Sequence, residues 1–490
     1  MMTSSSYLQS ANVVPVVHTM PADLLTPLAI YLKLADEKGG SFLLESVEGG
    51  ETLARYSFIG ADPEFTVTGN NAFHIYRDGS GERPVETSIL TFLRDHFSRF
   101  TIEDDGSLPG FAGGAIGAMN FSCSAWFEPR LARSLQPDEN EAAFMFCRTV
   151  IAFDHAKQVI KIVTLVFIDE AEGDDARLDE MFQNARTTNL HLREKLETLP
   201  VSIPKTQPNT IPQTVTANFT QEDFEKAVET VKEYIFAGEA YQVVLSQCFT
   251  RPTDATAVSI YRAMRSLNPS PYMFLINING RSIIGASPEM LVRSRSGHLE
   301  YRPIAGTRPR GKTPDDDERL AKEMAADKKE VAEHRMLVDL GRNDLGRVAE
   351  FGSVEVTGLM TVEKYSHVQH LVSHLSAKLR DGLDRFDALA SCFPAGTVSG
   401  APKVAAIEMI SRLEPTPRGI YSGAVGYFDY AGNMDTCIAI RTLVLENGVA
   451  AVQAGAGIVA DSVPASEFQE TVNKAAALLK AIEIAETGGL

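Results

Sequence analysis

Two short stretches place carboxylates three residues apart. They are Glu330 and Glu333 in DKKEVAEHRMLVDL, and Glu467 and Glu470 in PASEFQETVNKAA, with Lys474 four further on. On a helix, residues i and i+3 share one face. Two such pairs facing each other would make an oxygen-rich cage suited to Mg²⁺; apart, each pair is a solvated face with intrahelical ion pairs. His367, His370 and His374 stand at i, i+3 and i+7 in SHVQHLVSH. On a helix they would line up for a transition metal, whereas a single histidine acting as acid or base is the commoner use. Arg441 interrupts the apolar run DTCIAIRTLVLE. A charge within a core strand needs a protein carboxylate or a bound anion. GAGIVA, from Gly455 to Ala460, matches the dinucleotide fingerprint GxGxxA, but Pro464 falls where the following helix should already run. The small residues therefore mark a close approach by a ligand or another backbone, not a Rossmann turn.

The elements that must carry these residues follow from periodicity. LPVSIPKTQPNTIPQTVTANFT is rich in Pro and Thr and nearly uncharged, so 201–219 reads as a linker between an N-terminal β-rich segment, 1–200, and a C-terminal region, 220–490. In the first segment SFLLESV, RYSFIGA, EFTVTG, AFHIYRD and KQVIKIVTLVFI read as strands, and ARLDEMFQNARTTNLHLREKLETL as a helix. In the second, a helix begins at Thr220, whose spacing to Asp223 is that of a capping box. YQVVLSQCFT, YMFLINING, SIIGASPEMLVR, GAVGYFDY, DTCIAIRTLVLE and VAAVQAGAGIV read as strands. One long helix is expected from about Asp316 to Leu345, with others over SHVQHLVSHLSAKL, PKVAAIEMISRL and from Ala465 on. Hairpin-linked strands with helices between them predict an α+β fold with largely antiparallel sheets.

Composition excludes several partners. The net charge is −18, from 46 basic and 64 acidic residues, a surface that repels nucleic-acid phosphates and anionic lipid. An anionic substrate would need local positive charge from Arg, Lys or a metal. The five cysteines are scattered without a CxxC pair, which points to a reducing compartment. The apolar stretch around Ile160–Ile168 is interrupted by Lys161 and Thr164, so no membrane span is expected. The expected location is cytoplasmic.

Taken together, PIAGTRPRG (303–311), EHRMLVDLGRNDLGRV (333–348), YSHVQHLVS (365–373), FPAGTVSGAPKVAA (393–406), RGIYSGAVGYF (418–428), IAIRT (438–442) and QAGAGIVADSVPASEFQETVNKA (453–475) resemble the chorismate-utilising enzymes, in that family's order. The resemblance implies large mixed, mostly antiparallel sheets forming a two-sheet core with helices packed outside. It implies Mg²⁺ on Glu333 and Glu470, with Glu330 and Glu467 in or near its shell, and Glu330, His370 and Thr397 as catalytic side chains. Substrate would be held by Gly306, Thr307, Tyr421, Arg441, Gly455, Ala456, Gly457 and Lys474. Relatives that add water carry a lysine where Gln242 stands, and para-aminating relatives carry one where Ala305 stands. The branch implied is the one that converts chorismate and ammonia into anthranilate and pyruvate; a para-aminating synthase and a non-catalytic tryptophan sensor are the alternatives. LLES (43–46) and NPSPYMF (268–274) resemble that branch's tryptophan-binding motifs, implying Glu45, Ser46, Pro271, Tyr272 and Met273 as an inhibitor site. With no amidotransferase region in the sequence, a separate glutaminase subunit is implied, in a heterodimer or heterotetramer. AMNFSCSAWFEP (118–129) departs from the family by lacking its aspartate and arginine.

Overall fold

The apolar run ending in VTLVF forms a strand, Val159–Phe167, that pairs along its whole length with Val13–Pro21. In a computed structural model of the chain, which describes residues 11–35, 39–46, 55–102, 106–204, 213–365 and 368–488, these two strands begin the first of two twelve-stranded sheets. All strand pairings within both sheets are antiparallel. Phe42, Phe58, Phe274 and Ile276 of the first sheet meet Ile116, Met145, Val425 and Tyr427 of the second in a buried inter-sheet layer. Helices cover the outer faces. Lys328–Gly346 and Arg385–Cys392 pack on the second sheet, and Ala257–Leu267 and Pro464–Thr487 on the first. The strand Tyr272–Ile278 shows the consequence for sequence. Phe274, Ile276 and Ile278 face the inter-sheet layer while Met273 and Leu275 face the helices, so both faces are apolar and the run is continuous.

Both sheets draw strands from both segments of the chain. Ser41–Glu45 pairs with Tyr272–Ile278 in the first, and Gly114–Met119 pairs with Ala424–Asp429 in the second. The linker thus separates stretches of chain rather than separate cores. Its described end is pinned, since Thr216–Ala217 pairs with Gln242–Pro252, and the Thr220 hydroxyl accepts the Asp223 N–H at 3.1 Å to start the helix Gln221–Phe236.

Four expected elements form differently, among them SIIGASPEMLVR, which is two strands, Arg281–Ser287 and Met290–Arg295, in different sheets. SHVQHLVSHLSAKL is not a helix; it is the strand Val368–Lys378, paired with Ile304–Pro309, Glu355–Lys364 and His298–Tyr301. Gln369, Leu371, Ser373, Leu375 and Ala377 are buried in alternation, a period of two that the three histidines masked. The aligned-histidine metal reading goes with that helix, and His367 lies outside the described residues. The long helix is two helices, Pro314–Ala326 and Lys328–Gly346. Asp327 separates them, its carboxylate accepting the N–H groups of Lys329 and Glu330 as a cap. Finally, DTCIAIRTLVLE is not one strand: Met434–Ile438 ends in the second sheet and Thr442–Glu446 begins in the first. Arg441 sits in the crossing between them.

Candidate active site

A second crossing lies beside the first. The strand Arg281–Ser287 belongs to the first sheet and Met290–Arg295 to the second, with Pro288 and Glu289 between. The two crossings are stitched together: Ile438 N–H donates to Glu289 O at 3.1 Å, Ala286 N–H to Arg441 O at 3.1 Å, and Ser287 Oγ to Ile438 O at 2.7 Å. A cavity of about 700 Å³ opens at this junction, with Glu289 and Arg441 in its wall.

Most residues singled out from the sequence line it: Glu333, Glu467, Glu470, Lys474, His370, Thr307, Thr397, Tyr421, Arg441, Gly455 and Gly457, along with Gln242 and Ala305. Strand alternation explains one exception. Gly455 and Gly457 face the cavity, while the Ala456 side chain points the other way into a buried apolar cluster. Side chains at the two glycines would collide with Tyr421 Oη, 2.7 Å from a Cβ at 455, and Gln242 Nε2, 2.6 Å from one at 457. Gly306 is set back beneath the wall. Its φ of +75° and the proximity of Glu330 Oε2, 2.4 Å from any Cβ, leave room only for glycine.

Arg441 adopts φ of +49°, an unfavourable backbone for a side-chain-bearing residue, maintained by the stitched crossings. Its guanidinium opens into the cavity and has no ion pair among the described residues; the surrounding protein, by desolvation, holds it below its ordinary pKa. Of the two partners expected for this charge, a protein carboxylate is not paired with it among the described residues. Lys474 is already engaged, donating to Glu470 Oε1 at 2.7 Å and to Gly455 O at 2.9 Å.

His370 is held by its backbone neighbours. Nδ1 lies 3.1 Å from Gly306 O and 3.0 Å from Thr307 Oγ1. A carbonyl can only accept, so Nδ1 carries the proton and the neutral ring keeps its lone pair on Nε2. Burial lowers the imidazole pKa, aided by Arg441 and Arg302, although the Gly306 carbonyl opposes it. The group is a neutral base near pH 7.

Glu289 was not singled out from the sequence. Nothing in SIIGASPEMLVR distinguishes it from a strand-end carboxylate; only the crossing buries it. Burial pushes its pKa up to about 8, opposed by the nearby Thr397 hydroxyl. Thr397 Oγ1 is itself buried without a hydrogen-bond partner among the described residues. Glu330, expected as the acid, does not line the cavity: Arg308 pairs with its Oε1 and also reaches Asp327 at 3.4 Å. Buried Arg418 fixes the local frame, donating to Val244 O and Val398 O at 2.7 Å each and pairing with Glu414 at 2.6 Å.

The carboxylates project from two helices. Glu333 leaves Lys328–Gly346; Glu467 and Glu470 leave the first turns of Pro464–Thr487. Desolvation raises Glu333, with Lys329 opposing and Glu330 and Glu470 adding repulsion. Desolvation likewise raises Glu467, against a Ser462 hydrogen bond and with repulsion from Glu470. Mutually repelling hard-oxygen donors suit a hard divalent cation. Among the described residues, however, no three His, Cys, Asp or Glu side chains are gathered around one point.

A separate cavity of about 660 Å³, sharing no lining residue with the first, contains Glu45, Ser46, Pro271, Tyr272 and Met273. The pairing of Met273 with Glu45 across adjacent strands brings the two distant motifs together. Glu45 accepts from Tyr261 Oη at 2.5 Å and Arg265 Nε at 3.1 Å, and Ser46 Oγ is buried without a partner among the described residues.

Comparison with known proteins agrees with this architecture. A crystal structure of anthranilate synthase component I from Streptococcus pneumoniae superposes with a TM-score of 0.74 at 34% identity, covering 94% of this chain and 98% of that one. Escherichia coli MenF, a menaquinone-specific isochorismate synthase, shares the fold at a TM-score of 0.69 and 20% identity, covering 98% of this chain and 97% of its own. Residues 40–480 match the chorismate binding enzyme family, and the chain belongs to that family. Within it, anthranilate synthase component 1 of Acetivibrio thermocellus is 44% identical over 480 residues, 96% of each chain. The Pseudomonas putida component 1 is 44% identical over 487 residues, 97% of this chain and 96% of its own. The cavity is therefore that of a chorismate-utilising enzyme. Among the described residues no helix is long and apolar enough to cross a membrane.

Replacing Arg441 tests the cavity's anion-binding group. Arg441→Met should raise KM for chorismate by about ten- to a hundredfold, the scale of one charge-assisted pair, with a smaller change in kcat. Steady-state kinetics at saturating Mg²⁺ measure it, and an unchanged KM would remove Arg441 from substrate binding.

Proposed function

We propose that the chain is the synthase component of an anthranilate synthase, converting chorismate and ammonia to anthranilate and pyruvate. One observation carries the reading. A single cavity combines an unpaired Arg441, a His370 base, a neutral Glu289 acid, and Gln242, which cannot deprotonate water. The names of the relatives, at 44% identity over nearly the whole chain, support the same choice. Ala305 presents only a methyl group to the cavity, leaving the ring carbon ortho to the carboxylate open to ammonia.

The reaction divides among these residues. Arg441 and Tyr421 hold the enolpyruvyl carboxylate, and Gly455 and Gly457 let it approach the backbone. Glu333, Glu467 and Glu470 would hold Mg²⁺, with Lys474 beside them; bound there, the ion supplies positive charge opposite the ring carboxylate. Ammonia bonds to C2 as the C4 hydroxyl leaves, taking a proton from Glu289. Glu289 replaces Glu330 in this role because Glu330 is paired with Arg308 outside the cavity wall. His370 Nε2 then removes the C2 proton; the ring becomes aromatic and the C3–O bond breaks to release pyruvate. Ammonia comes from a glutaminase subunit, in a cytoplasmic heterodimer or heterotetramer. The cavity at Ser46 takes tryptophan as inhibitor; residues 1–200 supply Glu45 and Ser46 to it, while Pro271, Tyr272 and Met273 come from 220–490, which also carries the catalytic residues.

The purified chain should form anthranilate, read by its fluorescence, from chorismate, Mg²⁺ and ammonium salts, but not from glutamine. His370→Ala should stop after amination and accumulate aminodeoxyisochorismate, visible by chromatography. A para-aminated product, or no turnover with ammonium, would refute the assignment.

The acid role has its own signature. An acid works while protonated, so raising the pH through about 8, where Glu289 ionises, should lower kcat along a basic limb. Glu289→Gln should lose about two to four orders of magnitude in kcat, the usual contribution of such a group. A parental rate in that variant would show that the proton comes from elsewhere.

Ser46→Phe should fill the second cavity. Inhibition by tryptophan should then disappear while ammonium-dependent turnover stays within about twofold, because no residue is common to the two cavities. Undiminished inhibition in this variant would place the inhibitor elsewhere.

A further inference from the structure

The two cavities share no wall residue, yet one strand serves both. Val368–Lys378 presents His370 to the active site and His374 to the second cavity. Between them stands Glu363, on the neighbouring strand Glu355–Lys364 and directly opposite His370 in register. Its Oε1 accepts from His374 Nε2 at 3.0 Å. Its Oε2 accepts from Tyr365 Oη at 3.0 Å and pairs with the guanidinium of Arg302. Arg302 is buried, lines the second cavity, and donates also to Tyr365 Oη at 2.8 Å. The Tyr365 ring meets the His370 imidazole edge to face, with centroids 5.4 Å apart.

We propose that Glu363, Arg302 and Tyr365 form a positioning unit that holds the His370 ring in place and links it to the contents of the second cavity. The proposal rests on that cavity's being the tryptophan site. His370 is fixed on one side by Gly306 and Thr307 and on the other by the Tyr365 ring, which is itself anchored through its hydroxyl. An amino acid in the second cavity presents a carboxylate to the Arg302 guanidinium and the His374 imidazole, the two groups that Glu363 now binds. Drawing either toward the ligand loosens Glu363, frees the Tyr365 hydroxyl and lets the ring turn from His370. A ligand acts at a distance only through such a difference in contacts between two arrangements.

Glu363→Gln and Tyr365→Phe test this in the full chain with ammonium as nitrogen donor. Tyr365→Phe keeps the ring and removes only its anchor. Two quantities are read: kcat and KM for chorismate, and the tryptophan concentration for half inhibition divided by the calorimetric Kd of the substrate-free chain. In the parent that ratio should be about five or more. In both variants tryptophan should fail to inhibit at concentrations that saturate its calorimetric Kd, so the ratio should rise about tenfold or more, while Kd stays within about threefold and kcat drops about tenfold at nearly constant KM. A purely structural role would not move the ratio. Parental ratio and parental kcat in both variants would overturn the proposal. If the parent gives no heat with tryptophan, the inhibitor-site reading fails and the link with it; a kcat drop in Tyr365→Phe would still uphold the positioning of His370.

Discussion

Everything in the active site depends on two chain crossings between the sheets, lying side by side. At Pro288–Glu289 and at Ala439–Arg441 the backbone leaves one hydrogen-bonded ladder and joins another about a sheet spacing away. Neither crossing could satisfy its own backbone groups alone. Each supplies partners for the other, with Ile438 donating to Glu289 and Ala286 to Arg441. The arrangement forces Arg441 into a left-handed backbone and removes Glu289 from water. The same geometry puts the Arg441 guanidinium and the buried Glu289 carboxyl on the wall of one cavity.

Electrostatics at this site run against the composition of the whole chain. A surface with a net charge of −18 offers no general attraction to a dianion. Binding must come from local charge in a partly dehydrated space, where an unpaired guanidinium acts far more strongly than on the surface. Three carboxylates on the opposite wall repel each other and the substrate alike. Hard-oxygen donors of this kind suit a hard divalent cation, the charge we propose they would hold.

The second cavity arises from strand register. Ser41–Glu45 and Tyr272–Ile278 are remote in sequence and adjacent in the sheet, so a ligand there rests on both segments at once. The strand Val368–Lys378 then reaches from that cavity to the active site as a stiff paired element. Its two histidines stand four residues apart on one face. Two cavities need no separate domains, because the sheets already span both.

The sequence by itself determined the residue inventory and the element types wherever the period was unambiguous. Glu333, Glu467, Glu470, Arg441, His370, the glycines at 455 and 457, and the five residues of the second cavity all lie where cavities form. The cap at Thr220 and most strands also formed as read, because caps and alternation are local properties of the chain. What only the tertiary structure decided is where neighbours come from. SHVQHLVSHLSAKL fits a helical spacing of histidines, but three paired strands claim its backbone, and pairing outweighs a local pattern. Asp327 divides one apparent helix because its carboxylate caps the next. Glu289 carries no mark in the sequence, since its acidity comes entirely from burial at a crossing that two distant segments build. Glu330 stands one helical turn from Glu333, but it pairs with Arg308 instead of lining the cavity. Charge, burial and pairing are set by residues far along the chain, and the order of the letters does not contain those distances.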